Sequence, residues 1–312
     1  MDYTEPQAVI DMGTNTFLLL VARWTEGEME ILYREQQFVR LGKGGISDSR
    51  IAPEAIERGK ATLAGYQKKV EGYGSVSCRA IATSALRNAD NRGEVLDAFE
   101  EVQGHRPLVI DGDCEAQLIY EGVQISTPPT DDIVLVMDIG GGSVEFILGR
   151  GKEVLWKQSF EIGAQRLCDK FFHEDPIPKD SVQQLMEYAD DALKPLKKAF
   201  AKFPPKRYIG SAGTFDTLWD LHVGRQGDLP ESRILSYEDY LKVYGPLMLL
   251  PKKERLALPG MMEKRVEMIV VASCLVTYIF MLTGQPAAHI ANGALKEGAL
   301  SRLLQQKPLL DG

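Results

Sequence analysis

Ile133-Val134-Leu135-Val136-Met137 runs into Asp138-Ile139-Gly140-Gly141-Gly142-Ser143, and Phe146-Ile147-Leu148 follows. β-Branched residues and leucines on both sides of a glycine turn read as strand, turn, strand. The same grammar stands near the start of the chain, where Val9-Ile10 leads Asp11-Met12-Gly13-Thr14-Asn15-Thr16 and Leu18-Leu19-Leu20-Val21 follows. Setting Asp11 on Asp138 also sets Gly13 on Gly140 and Thr16 on Ser143, so D-x-G-x-x-[TS] recurs half a chain apart. That spacing is no solenoid period. It points to a duplicated domain whose two copies face each other across a cleft.

The intervening sequence fits an α/β chain. Helices are expected over 53–70, with Pro53 at the first helical position and Ile56, Leu63 and Val70 recurring at sevens, and over 92–102. Strands are expected over 76–82 and 106–110, then a helix over 114–123 with Asp113 as its N-cap. Ser126-Thr127-Pro128-Pro129-Thr130 reads as a linker. It divides the chain into a first domain, 1–126, and a second, 127–292, with a terminal helix from 293 expected to pack back on the first. The second half adds helices over 181–203, 215–221, 237–250 and 263–282 and strands over 207–210 and 288–290. Strands alternating with helices define the α/β class.

Composition narrows the function. The 312 residues, 44% apolar and 26% charged, suit a globular chain of about two domains. With 36 Lys and Arg against 44 Asp and Glu, the net charge of −8 argues against a nucleic acid polymer or an anionic membrane as partner. An anionic ligand must therefore be held locally. Cysteines 78, 114, 168 and 274 form no metal-ligand pattern, and MDYTEPQAVI carries no signal-peptide features, so the expected setting is the reducing cytoplasm. The apolar run 268–282 is interrupted by Ser273 and Thr277 and falls short of the ~20 residues needed to span a bilayer; it reads as a buried helix. The basic segment from Lys194 to Arg207 reads as a solvated helix face.

Asp11 and Asp138 end apolar strands, the usual place for ligand groups in α/β sheets. Gly13, Gly140, Gly141 and Gly142 let backbone N–H groups approach an anion closely, and Thr14, Thr16 and Ser143 add hydroxyl donors. For either turn alone, a tight hairpin capped by Asx hydrogen bonds is the competing reading. A third turn, Gly210-Ser211-Ala212-Gly213-Thr214, leads a strand end into a helix N-terminus. Glu115 lies in the first turn of its helix, where it either merely stabilises the helix end or orients a water for attack on phosphorus. Glu145 interrupts an apolar strand at the position Leu18 holds in the first repeat, and such an acid calls for a metal, a metal-bound water or an exposed face. Arg87, with Arg40 and Lys43 as weaker candidates, offers a fork for phosphate. P-loop, dinucleotide-fold, zinc-protease and serine-hydrolase signatures do not occur.

These segments, together with Ala82-Thr83-Ser84-Ala85-Leu86-Arg87-Asn88-Ala89, Gly112-Asp113-Cys114-Glu115-Ala116 and Phe160-Glu161-Ile162-Gly163-Ala164-Gln165-Arg166-Leu167, occur in the order seen in the exopolyphosphatase/guanosine pentaphosphate phosphatase family, which the chain resembles in its short, two-domain form. The resemblance implies an actin-like, ribonuclease H-type pair of domains. It also implies release of terminal phosphate from inorganic polyphosphate or guanosine pentaphosphate with a divalent metal, usually magnesium. By that resemblance Glu115 is the catalytic glutamate; Asp138, Glu145 and Asp11 are the metal-associated acids. Phosphate falls to Gly13, Thr14, Asn15, Thr16, Arg87, Gly140, Gly141, Gly142 and Ser143, and further substrate contacts to Arg40, Ser211, Gly213, Thr214 and Glu267. A homodimer is the oligomer carried over from the family. Cys114 stands where a second acid often precedes the catalytic one, Glu267 where an aspartate is common, and Lys296 where an arginine is usual. Two rivals remain at this stage: a phosphotransferase of the same superfamily, and a nucleotide or alarmone sensor without turnover.

Overall fold

The structure, a computed structural model, describes residues 4–45, 48–74, 76–225 and 232–309. The chain divides into two units. Unit 1 comprises Met1–Ile125 and Leu295–Gly312, and unit 2 comprises Ser126–Ala294. The boundary thus falls one residue before that expected from the linker, and the returning C-terminal segment starts at 295 instead of 293.

Unit 1 contains β1 (Gln7–Met12), β2 (Phe17–Thr25), β3 (Glu28–Gln37), α1 (Pro53–Glu71), β4 (Ser77–Ala82), α2 (Ser84–Arg87), α3 (Arg92–Gln103), β5 (Leu108–Val109) and α4 (Gly112–Ser126). Unit 2 contains β6 (Val134–Ile139), β7 (Val144–Arg150), β8 (Glu153–Phe160), α5 (Ala164–Phe171), α6 (Lys179–Ala192), α7 (Lys194–Lys202), β9 (Arg207–Ser211), α8 (Ala212–Val223), β10 (Ile234–Ser236), α9 (Tyr237–Leu249), α10 (Lys252–Arg255), α11 (Met268–Thr283) and β11 (Ala287–Ile290). Helix α12 (Leu295–Leu304) returns to unit 1, where it packs on β1 and β2.

The two sheets run β3-β2-β1-β4-β5 and β10-β11-β9-β6-β7-β8. Leaving aside the added β10, three antiparallel strands are extended by two parallel ones in the same order in both. This is the ribonuclease H-type order of an actin-like pair. The central strands β1 and β6 carry continuous buried apolar runs, Ala8–Ile10 and Val134–Met137, instead of alternating, as strands covered on both faces do. In β1, Ala8, Ile10 and Met12 join the core that holds Leu63 and Tyr66 of α1 and Phe99 of α3, and the intervening Val9 is equally buried. Gly298 of α12 meets α4 so closely that a Cβ there would stand 1.9 Å from the Leu118 carbonyl oxygen.

Four local expectations are corrected. Helix α4 begins at Gly112, and its cap is Asp111, whose Oδ1 accepts from the Cys114 N–H at 2.7 Å; Asp113 lies inside the helix. The single helix expected over 181–203 is two, broken at Leu193 with Pro195 in the first turn of α7. The strand expected over 106–110 is reduced to two residues. The helix expected over 263–282 is a 3₁₀ turn, Glu263–Arg265, followed by α11. That helix is buried from Ile269 to Phe280, which accounts for its hydropathy, and no helix among the described residues is long and apolar enough to cross a membrane. On α6 and α7, Lys197 pairs with Asp190 at 2.7 Å and Lys194 pairs with Asp191, as befits a solvated face.

Candidate active site

The two glycine turns are built alike. Gly13 N–H donates to the Thr16 carbonyl at 3.0 Å, and Gly140 N–H donates to the Ser143 carbonyl at 3.0 Å. Each turn is then held from outside by the segment that follows its third strand. In unit 1, the carbonyls of Thr14 and Asn15 accept from Gly42 N–H at 2.8 Å and Arg40 N–H at 2.9 Å. In unit 2, the carbonyls of Gly140, Gly141 and Gly142 accept from Ala164, Gln165 and Gly163 N–H at 2.9, 2.8 and 3.1 Å. A trans peptide points its N–H opposite to its C=O. The amides of Gly141, Gly142 and Ser143 are therefore directed away from α5, forming a concave row of donors suited to an anion.

This clamp depends on Gly163. Its backbone is extended, with φ −65° and ψ 164°, so no left-handed conformation demands glycine there. A Cβ would instead stand 2.4 Å from the Gly142 carbonyl carbon. Arg166 adds a third-party hold, donating from Nε to the Gly142 carbonyl at 3.0 Å while Nη2 pairs with Glu161 at 3.2 Å.

In unit 1, Asp11 sits at the end of β1 opposite Leu18. Strand β4 runs parallel to β1 and delivers Thr83 and α2 beside the turn, with Thr83 N–H near the Met12 carbonyl at 3.4 Å. Arg87 closes α2 and donates from Nη1 to Oε2 of Glu115 at 2.6 Å and to the Ile110 carbonyl at 3.3 Å. Glu115 is buried in the first turn of α4, where the helix dipole and the guanidinium both favour a negative charge. Arg87 thus lies against the expected base, an arrangement that fixes where the carboxylate points.

In unit 2, Asp138 and Glu145 occupy the same cross-strand pair of β6 and β7 that Asp11 and Leu18 occupy in β1 and β2. Directly opposed residues share a face, with Cβ atoms about 4.5–5.5 Å apart. Asp138 is 7% exposed and Glu145 1%. The row continues through Ser159 of β8, whose Oγ donates to Glu145 Oε1 at 2.6 Å, and Ser211 of β9. Two neighbouring buried carboxylates repel unless a proton or a cation sits with them. Among the described residues, no group of three or more His, Cys, Asp or Glu is placed to hold a metal. A pair of carboxylates nonetheless fits a magnesium-type ion, which takes one or two protein carboxylates and completes its shell with phosphate and water.

The third turn carries strain and charge. Ala212 has φ 63°, a left-handed conformation that costs an L-residue roughly 1–2 kcal/mol. Ser211 is fully buried with its Oγ on the Gly293 carbonyl at 3.3 Å, and Thr214 Oγ1 donates to the Ile139 carbonyl at 3.4 Å. A Cβ on Gly213 would stand 1.9 Å from an Arg265 guanidinium nitrogen, so the glycine makes room for that arginine. Burial lowers the Arg265 pKa, countered by Asp216 and Asp220. Asp220 is pushed up to about 6 by burial and by the charge of Asp216, whose own carboxylate takes Nη1 of the buried Arg233 at 2.7 Å.

The side chains of other expected residues are exposed or paired. Glu267 is exposed at the start of α11, paired with Lys252 at 2.6 Å. Arg40 is exposed, with its backbone at φ 52° holding the first turn and its carbonyl taking Arg58 Nη2 at 3.0 Å. Lys296 is spent on Glu297 at 3.1 Å, and the same carboxylate takes Arg34 at 3.4 Å. Sequence reading did not single out Ser159 or Arg265. A serine in an edge strand and an arginine in a 3₁₀ turn carry no local signal, and only strand register and a glycine's missing side chain bring them in.

Comparison with known proteins identifies the family. The model of the Ppx/GppA phosphatase family matches residues 20–307. An exopolyphosphatase from Cytophaga hutchinsonii is similar in structure at 40% identity and TM-score 0.94, over 98% of this chain and 100% of that one. The Aquifex aeolicus member of the Ppx/GppA family is similar at 25% identity and TM-score 0.82, again over 98% and 100%. The chain belongs to the Ppx/GppA phosphatase family.

Proposed function

We propose that the chain hydrolyses terminal phosphoanhydride bonds of inorganic polyphosphate, of guanosine pentaphosphate, or of both, by in-line attack of water. The observation that carries this reading is the buried Asp138–Glu145 pair beside a glycine turn whose amides are directed away from α5. Unit 2 then supplies the electrophilic half: Gly141, Gly142 and Ser143 would bind phosphoryl oxygens through their amides, and Asp138 and Glu145 would hold a divalent cation; Asp11 is the equivalent acid of unit 1. The bound cation supplies neutralisation of the charge that develops on the phosphoryl and leaving oxygens.

Unit 1 supplies the nucleophilic half. Glu115 positions the attacking water and takes its proton, while Arg87 holds the Glu115 carboxylate in place and lends positive charge to the phosphoryl group. The hydroxyls of Thr14 and Thr16 and the Asn15 side chain add contacts to phosphate. Ser211, Gly213 and Thr214 belong to the substrate side of unit 2, where Arg265 brings positive charge to Gly213. Phosphoryl transfer passes through a loose transition state and needs mainly positioning and electrostatic help, which this set of groups provides. The test is phosphate release with magnesium from long-chain polyphosphate and from guanosine pentaphosphate, side by side, with Glu115→Gln as the blank. Release that depends on Glu115 supports the reading and ranks the substrates; binding of both without release from either overturns it.

A further inference from the structure

Strand register lines up Ser211 of β9, Asp138 of β6, Glu145 of β7 and Ser159 of β8 across the unit 2 sheet. The same positions of the unit 1 sheet hold Ile81 of β4, Asp11 of β1, Leu18 of β2 and Gln36 of β3. Where leucine replaces the second acid, the flanking residues are a buried isoleucine and an exposed glutamine. Where the acid is present, a serine stands on either side of the pair.

The two serines differ in what they bond. Ser211 is fully buried, with its Oγ on the Gly293 carbonyl at 3.3 Å. Ser159 donates from Oγ to Oε1 of Glu145 at 2.6 Å, a short bond for a hydroxyl donor. Glu145 is almost wholly buried, so bulk solvent does not compete for that oxygen. The last torsion of a glutamate side chain has a broad, shallow preference, and a hydrogen bond to one named oxygen is what sets it. Packing does not dictate a serine at 159, because β8 is an edge strand that buries only Phe160 and leaves Ser159 half-buried.

We propose, on the reading of Asp138 and Glu145 as the cation-holding pair, that Ser159 is the positioning residue of that pair. By holding Oε1 it fixes the plane of the Glu145 carboxylate beside Asp138, so that the two acids receive a divalent cation without reorganising. Preorganised oxygens matter most for a magnesium-type ion, whose shell tolerates little distortion. Groups that hydrogen-bond a ligating carboxylate are worth roughly 10- to 100-fold in metal affinity. A serine that only satisfied a buried acceptor would instead affect stability and leave cation affinity unchanged.

Manganese, which suits the same oxygen donors as magnesium, is the probe. Its free fraction is read by electron paramagnetic resonance in the presence of the full chain without substrate, and the relevant binding is the part lost in Glu145→Gln. Ser159→Ala is expected to raise the dissociation constant of that part roughly 10- to 100-fold. Ser159→Thr, which keeps the hydroxyl on a residue suited to a strand, is expected to restore it. In phosphate release, Ser159→Ala should need correspondingly more magnesium for half-activation and regain most of the parent kcat at saturating magnesium, a split that loss of folded protein would not produce. An unchanged dissociation constant in Ser159→Ala, or equal weakening in Ser159→Ala and Ser159→Thr, overturns the role of Ser159 alone. Parent protein without any Glu145-dependent manganese binding overturns the cation pair and the role of Ser159 with it.

Discussion

The two glycine turns share a backbone and differ in what it carries. Both close with the same hydrogen bond at 3.0 Å, both are held through their carbonyls by the segment after the third strand, and in both a Cβ on the first glycine would meet a carbonyl oxygen at 3.1 Å. Duplication has preserved the part that binds an anion through peptide groups. It has not preserved the charge beside it. The residue opposite the strand-end aspartate is Leu18 in unit 1 and Glu145 in unit 2, so one copy has a single acid where the other has a buried pair. Unit 1 carries its second acid elsewhere, on Glu115 at the start of α4, with Arg87 against it. Under the proposed function the difference is a division of labour: common geometry for phosphate, with a cation pair on one copy and a water-directing carboxylate on the other.

The largest expected effect comes from the group without a counterpart in unit 2. Glu115→Gln keeps size and a hydrogen-bonding end but loses the base, so turnover with polyphosphate should fall ~10² to 10⁴-fold with substrate binding retained. Steady-state rates together with an equilibrium binding measurement check this; full turnover in the variant would return Glu115 to a merely stabilising role at the helix end.

An intermediate effect separates the unit 2 clamp from a turn glycine. Gly163→Ala drives a Cβ to 2.4 Å from turn backbone that has nowhere to retreat, an overpacking expected to cost about 1–3 kcal/mol. Gly13→Ala meets one oxygen at 3.1 Å and should cost less. Urea unfolding of the two variants beside the parent protein measures the difference, and equal costs would mean that the unit 2 turn is not pinned by α5.

The smallest effect lies at the third turn of unit 2. Asp220 has its pKa raised to about 6, by burial first and the charge of Asp216 second, against an unfolded value near 3.9. A raised carboxyl pKa means that ionisation costs the folded state. The cost is absent below about pH 4, grows through the window to pH 6 and is fully present above it. Asp220→Asn should therefore stabilise the protein at pH 8 by about 1 kcal/mol after allowance for solvent screening, and should change nothing at pH 4. Denaturant midpoints at the two pH values test the sign.

How much of this was legible in the sequence follows from where each signal lives. The repeated D-x-G-x-x-[TS] turns, the acid breaking the apolar strand at 145 and the equivalence of Leu18 with Glu145 are local patterns, and the strand register reproduces them residue for residue. Strands β3 and β8 carried no comparable signal, because β3 (EMEILYREQQ) has no buried position and β8 buries only Phe160. Helices α6 and α7 read as one run in the sequence, and the start signal that divides them is Pro195 in the first turn of the second. The segment Gly163–Gln165 stood out only by family resemblance; its role as a clamp needs the turn that it grips, more than twenty residues earlier. The Arg265–Gly213 approach and the Ser159–Glu145 hydrogen bond are likewise tertiary facts with no footprint in spacing.

The most direct test of the division between the two turns is the magnesium dependence of phosphate release from polyphosphate by the parent protein and by Glu145→Leu, which gives the unit 2 turn the residue of its twin. The account predicts that the variant folds, since the leucine fits the same cross-strand position in unit 1, and that it loses magnesium activation and nearly all turnover. A variant that releases phosphate at the parent rate with the parent response to magnesium would contradict it.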